Sequence, residues 1–246
     1  MIDIHTHILP CIDDGARDAE TAVTMLRMMK AQGVDLIGAT PHYYCLDCTP
    51  EEHRANAEKA YGTLMYSWEN AAGERAAELP EIRIGAEIYL AESLQAVEKP
   101  ELLKISGTDL MLFELPFTGF TRWIPAVTEL VAAKAKGRPL FAHIDRYIHL
   151  YGRRVMDALE ALPGAAFQFN SDAFDDRAVL KYMYSLIDRG YAVFFASDCH
   201  GAHRRPPDLG ERLPVLEKKL TKKFSAEVYA EIVQRQYSLL NSDSAA

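Results

Sequence analysis

Met1-Ile2-Asp3-Ile4-His5-Thr6-His7 opens the chain with a short apolar run that delivers two histidines. Six more β-rich runs follow: 34–40 (VDLIGAT), 82–87 (IRIGAE), 109–115 (DLMLFEL), 138–143 (RPLFAH), 165–170 (AAFQFN) and 191–197 (YAVFFAS). Most are continuously apolar rather than alternating, as parallel strands covered on both faces require. Helical patterns lie between them at 18–32, 50–78, 124–136, 153–162 and 175–189, and two more at 211–220 and 225–240 close the chain. In the first helix Ala22, Leu26 and Met29 share a face, with Asp18 placed to cap the start and Gly33 to end it. Alternating strand and helix predicts βαβ units, either in a barrel or in an open doubly wound sheet.

The positions of the polar residues favour the barrel. His5 and His7 end the first run, His42 follows the second, Glu87 ends the third, Glu114 the fourth and His143 the fifth; Asn170 and Ser171 end the sixth, Asp198 and His200 the seventh. In a barrel these ends converge on the face where active sites form. Any one of these residues alone is more often an ordinary core or surface group. Coincidence of six runs is not, because gathered carboxylates repel by about 4 kcal/mol per close pair at an effective dielectric near 20. Cations relieve that repulsion, and a mixed imidazole–carboxylate set favours zinc, iron or manganese over magnesium or calcium. Residues two apart on a strand point to one side, so His5 and His7 suit a single metal.

The 246 residues are 49% hydrophobic and 25% charged, enough for a large core without staples. No repeat or linker divides them, so one domain over 1–246 is expected. A net charge of −8 argues against a general nucleic-acid binder. The absence of a visible signal peptide, the sparse cysteines and the lack of an apolar run of about 18 residues predict a cytoplasmic protein without membrane insertion.

Several blocks resemble one family: MIDIHTHILP at 1–10, IDDG at 12–15, ATPH at 39–42, GAE at 85–87, ELPF at 114–117, AHIDRY at 142–147 and ASDCH at 196–200, with Arg205-Pro206 after it. In this order, over about residues 1–207, they are similar to the PHP-superfamily protein-tyrosine phosphatases of the bacterial capsule type. The resemblance implies a distorted seven-stranded (β/α) barrel with three divalent metals, usually manganese, with iron or zinc as alternatives. His5, His7, Glu87 and Asp198 would hold the first metal. Glu87 would bridge to a second, shared with Glu114 and His143, and Asp14, His42 and His200 would hold the third. Arg146 and Arg205 would contact the phosphate. The implied partner is a phosphotyrosyl protein, a bacterial tyrosine kinase that controls capsule or exopolysaccharide synthesis; a homo-oligomer stays open. The sequence departs at Ile144-Asp145-Arg146, where the family usually has Pro-Glu-Arg, and at Asn170–Phe174.

Four carboxylates in that set carry four negative charges. Two divalent cations would only neutralise them, whereas three, with both arginines, leave a positive site for a phosphate dianion. Tyr43, Tyr44, Tyr89, Phe117, Phe120, Trp123 and Tyr147 are candidates to line a slot for the phosphotyrosine ring, although each alone reads more simply as packing. Cys11 to Arg17 has the spacing of a cysteine-dependent phosphatase loop, but Asp13 and Asp14 within it would repel phosphate. The lone Cys45-x-x-Cys48 pair lacks the further ligands of a zinc site. The rival readings are a histidinol-phosphate phosphatase acting on a small alkyl phosphate, a nuclease, and a metal-bound module without turnover.

Overall fold

All five residues of β1 (Ile2–Thr6) are buried, and its polar members are paired: Asp3 accepts from Ser197 N–H and Oγ–H, and Thr6 donates to Gly38 O. The computed structural model describes residues 1–71, 79–117 and 122–240. After β1 come α1 (Ala19–Ala31), β2 (Leu36–Ala39), β3 (His42–Tyr43) and α2 (Pro50–Asn70). β4 (Glu81–Ile84), β5 (Glu87–Tyr89), β6 (Leu110–Glu114), α3 (Ile124–Lys134) and β7 (Arg138–Phe141) follow. The chain continues through α4 (Arg153–Glu160), β8 (Ala166–Asn170), α5 (Arg177–Asp188), β9 (Ala192–Ala196), α6 (Leu209–Lys223) and α7 (Ala226–Leu240). The last eight residues of the helix expected over 50–78 lie largely outside the described residues.

Every strand pair is parallel. The order is β1-β2-β4 in one sheet and β3-β5-β6-β7-β8-β9 in the other, and neither closes on itself. The expected α/β class with parallel strands is present, and among the described residues the seven expected runs appear as nine strands in two sheets. The reason is local. Pro41 interrupts the second run because it has no N–H for the ladder, so the run resumes as β3. The third run breaks at Gly85-Ala86 in step with it, and Gly85 N–H reaches Ala39 O at 2.8 Å while Glu87 N–H reaches Pro41 O at 3.0 Å. At the other edge Thr6 and Cys199 form an isolated parallel bridge. His7 N–H to Cys199 O and Asp198 N–H to His5 O, both 3.0 Å, tie β1 to the segment after β9.

The helix boundaries follow their capping chemistry. Asp18 accepts from Thr21 N–H at the start of α1, and Gly33 takes a φ of +79° just past its end. Ala22, Leu26 and Met29 are fully buried, as their spacing predicts. Thr49 and Glu52 form a reciprocal capping box ahead of α2, with Pro50 in its first turn. From that helix the Arg54 guanidinium donates to the carbonyls of Ile84, Leu102 and Lys104 and to Ser106 Oγ. Its hydrogen bonds thereby hold the loop before β6. Arg54→Ala leaves three part-buried carbonyls without this donor and is expected to cost about 2–3 kcal/mol. A lower urea midpoint at unchanged slope would measure that loss; an unaltered midpoint would contradict it.

Candidate metal centre

His5 and His7 leave β1 side by side, with their Nε2 atoms 3.2 Å apart. Their tautomers follow from their other partners. His5 Nδ1 lies 3.0 Å from Gln168 Oε1, and that oxygen also accepts from His143 N–H at 2.6 Å. His7 Nδ1 lies 2.7 Å from Asp13 Oδ2. Both Nδ1 atoms therefore carry hydrogen, and both Nε2 atoms present lone pairs to the interior. Backing of this kind by a carboxylate or an amide is what orients metal-binding imidazoles.

Glu87 occupies the middle. Its Oε2 lies 3.2 Å from His5 Nε2, 3.1 Å from His7 Nε2 and 3.1 Å from His42 Nδ1. Its Oε1 is 2.8 Å from His143 Nε2. Glu114 stands slightly farther out, 3.8 Å from both His42 and His143. At the mouth Asp14 Oδ1 lies 3.4 Å from His42 Nε2 and 3.3 Å from His200 Nε2. His200 donates Nδ1–H to Asp198 O at 2.9 Å, which turns its Nε2 toward Asp14. Gly15 lets the Asp13–Asp14 turn press on β1, since a Cβ there would sit 2.2 Å from His7 O.

Asp198 divides its two oxygens. Oδ1 faces His5, His7 and His200 at 3.5, 3.6 and 3.6 Å. Oδ2 accepts from Asn170 Nδ2 at 2.9 Å and from the guanidinium groups of both Arg146 and Arg205. The arginines are about one-third exposed, at 31% and 38%, so an incoming anion can reach them. Arg204, their sequence neighbour, points out to solvent. Asp145, buried in the segment that departs from the family pattern, accepts from Asn170 N–H at 2.9 Å and so anchors the end of β8. His143, Asp198 and Arg205 have φ of +28°, +52° and +53°. Such left-handed backbone costs roughly 1–3 kcal/mol per residue and persists where packing over-determines it.

The electrostatics reflect mutual compensation. Burial disfavours charge on His7, yet hydrogen bonds and attraction from Asp13 and Glu87 prevail and raise it to about 10. Burial would also lift Glu87, but His5, His143 and His42 hold it well below the usual carboxylate range. Glu114 is pushed up to about 7 by burial and by Glu87 beside it. His200 falls to about 4 through burial and repulsion from His7.

Divalent metals fit this donor set. Two imidazole lone pairs and a carboxylate oxygen within 3.2 Å of one another must share protons or cations. Among the described residues His143 Nδ1 is buried without a hydrogen-bond partner, and His42 Nδ1, although 3.1 Å from Glu87 Oε2, makes no well-directed hydrogen bond. Three groups of donor atoms lie within 4.8 Å of one another among the described residues: His7, Asp14, His42 and His200; His5, His7 and Glu87; His42, Glu87 and Glu114. These groups cut across the implied ligand sets, since His7 and His42 each belong to two of them. All eleven residues singled out in the sequence meet here. Asp13 and Gln168, which back the histidines, were missed; Asn170, placed at the rim by the sequence, backs Asp198. Gln168 could have been found as a polar residue set between Phe167 and Phe169 in its strand.

The aromatic candidates sort by exposure. Tyr43 and Tyr147 are buried, while Tyr44 is 41% and Phe117 55% exposed. Tyr44 lies against His42, ring centroids 5.6 Å apart, and Phe117 against Tyr147 at 5.1 Å. Phe120 lies outside the described residues. Cys11 is exposed and donates its thiol to Arg17 O, away from the cluster. None of the three donor groups contains a cysteine.

Residues 1–236 match the family described as capsular polysaccharide synthesis, CpsB/CapC. The chain belongs to the CpsB/CapC family. Its relatives include the tyrosine-protein phosphatase YwqE of Bacillus subtilis, 29% identical over 89% of this chain and 85% of that one. The tyrosine-protein phosphatase CpsB of Streptococcus pneumoniae is also 29% identical, over 94% and 96%. A crystal structure from the pair YwqE of Bacillus subtilis and CpsB of Streptococcus pneumoniae, described as unique metal-dependent tyrosine phosphatases, superposes with a TM-score of 0.72. It is 26% identical and covers 98% of this chain and 95% of its own. As a CpsB/CapC protein the chain combines parallel sheets with seven α-helices among the described residues, and no helix there is long and apolar enough to cross a membrane.

Proposed function

We propose that this protein is a metal-dependent protein-tyrosine phosphatase that acts in the cytoplasm on a bacterial tyrosine kinase governing capsule or exopolysaccharide synthesis. The observation that carries it is the convergence of histidines and carboxylates around Glu87, with Arg146 and Arg205 meeting at Asp198 beside them. The CpsB/CapC relatives supply the substrate class.

His5, His7, Asp14, His42, Glu87, Glu114, His143, Asp198 and His200 would hold three divalent cations, manganese by family likeness. Bound there, such cations supply Lewis acidity toward phosphoryl oxygens and a water activated for attack. The chain's own residues do the rest. Asp13 and Gln168 fix the tautomers of His7 and His5, so the lone pairs face inward. Asp198 holds the two guanidinium groups together, ready to clamp a phosphate through forked hydrogen bonds. Phosphoryl transfer needs positioning and charge stabilisation more than covalent help. A tyrosyl leaving group, of pKa about 10, departs with little proton donation. The two sheets would work as one distorted seven-stranded barrel over a single domain, with β2 and β3, and β4 and β5, as interrupted strands. The Thr6–Cys199 bridge supports that closure.

Tyr44 and Phe117 would flank the substrate ring. Tyr44→Ala with Phe117→Ala is expected to raise KM for a phosphotyrosyl peptide roughly three- to tenfold, since an aromatic pair adds about 0.5–1.5 kcal/mol beyond burial, with kcat little changed. An unaltered KM would remove the slot.

The deciding assay is phosphate release with manganese from a phosphotyrosyl peptide, beside a phosphoseryl peptide and histidinol phosphate. Release from phosphotyrosine alone supports the proposal. Preference for histidinol phosphate would keep the metal chemistry and reassign the substrate.

A further inference from the structure

Two clefts of opposite sign meet at Asp14. One, of about 460 Å³, is lined by Asp13, Asp14 and Asp47 and by no lysine or arginine. The other, of about 540 Å³, runs between the start of α1 and the turn at 201–205, where Arg17, His203, Arg204 and Arg205 face Asp14 and Glu20. Arg204 and His203 are exposed and form no ion pair among the described residues. Arg17 is 85% exposed and, among the described residues, pairs only with its neighbour Asp18, which is already engaged in capping α1. In a chain of net charge −8, this places exposed cations beside the centre.

The geometry points to the α1 side of this cleft as the site for an acidic side chain of the phosphotyrosyl substrate, held by Arg17 and Arg204 while the phosphate lies on the arginine pair at Asp198. The inference rests on the function proposed above. Thr21 and Thr24 both line the cleft, so it extends about one helical turn, roughly 5.4 Å, along α1. An extended peptide rises about 3.3 Å per residue, so this length of cleft takes one or two residues of it. Planar guanidinium groups match a carboxylate, and the neighbouring cleft offers it no arginine or lysine. The two clefts thereby give the bound peptide a direction.

The test compares phosphotyrosyl peptides with glutamate one or two positions from the phosphotyrosine against glutamine controls, for the manganese-loaded wild type and the Arg17→Gln/Arg204→Gln variant. Wild type should prefer the acidic peptides roughly three- to tenfold in kcat/KM, through KM, because exposed ion pairs are individually weak. The preference should shrink in about 0.5 M salt. The variant should lose it while hydrolysing phenyl phosphate like the wild type. A parallel arm needs no turnover: fluorescence anisotropy of labelled peptides carrying a non-hydrolysable phosphonate in place of the phosphate. Equal treatment of the two peptide series by wild type, or a preference kept by the variant, would overturn the assignment in either arm. Failure to hydrolyse phenyl phosphate would remove the phosphatase reading, and the anisotropy arm would still decide for or against the cleft.

Discussion

Exhaustive chelation should lower phosphate release from a phosphotyrosyl peptide by at least about 10³-fold, and added manganese should restore it. The size follows from the charges around Glu87. Without cations, the imidazoles must carry the compensating charge: His7 is raised to about 10 by Asp13 and Glu87, against burial. Protons in those positions occupy the lone pairs of His5 and His7 and leave no Lewis acid for a phosphoryl oxygen. Arg146 and Arg205 would still bind phosphate but would have nothing to activate water. Steady-state release before and after treatment, with metal content measured on the same sample, provides the check. Cys11→Ser serves as the contrast, because its thiol is bonded to Arg17 O rather than aimed at the cluster, and that variant should keep wild-type turnover. Activity that survives complete metal removal but is lost in Cys11→Ser would reverse the assignment of the chemistry.

Glu87→Gln should be the most damaging conservative substitution, with kcat down at least about 10³-fold. The glutamate makes close approaches to His5, His7, His42 and His143 and belongs to two of the three donor groups. A glutamine keeps the volume but replaces one anionic oxygen with an N–H donor, and it would weaken the hold of this position on a divalent cation. Because it also removes a fully buried charge, the variant should fold; breaking the ion pairs is offset by the lower desolvation cost. Urea unfolding and metal content separate the two effects. A variant with a full metal complement and a kcat within tenfold of wild type would remove Glu87 from the centre.

The pattern of the chain alone determined the alternation of strands and helices. Continuous apolar runs have one efficient use, the doubly covered parallel strand, and helix signals such as Asp18 and Gly33 act locally. The rim was legible for the same reason: His5, His7, His42, Glu87, Glu114, His143, Asp198 and His200 fall at or just past the ends of apolar runs, where the geometry of parallel strands must bring them together. Asp14, Arg146 and Arg205 have no such local signal and came from family resemblance.

Tertiary structure decided what depends on distance between remote segments. The splitting of two runs at Pro41 and Gly85-Ala86 reflects hydrogen bonds between strands that no single run contains. Gln168 and Asp13 orient histidines 163 and six positions away, and a polar residue becomes a support only when packing sets its oxygen against an imidazole. The same holds for Asp198, whose one oxygen faces the histidines while the other gathers Asn170, Arg146 and Arg205. Residue types and periods establish which groups reach the rim; the sharing of acceptors among them is a property of the folded arrangement, because it depends on ångström-scale separations that only the packed sheets impose.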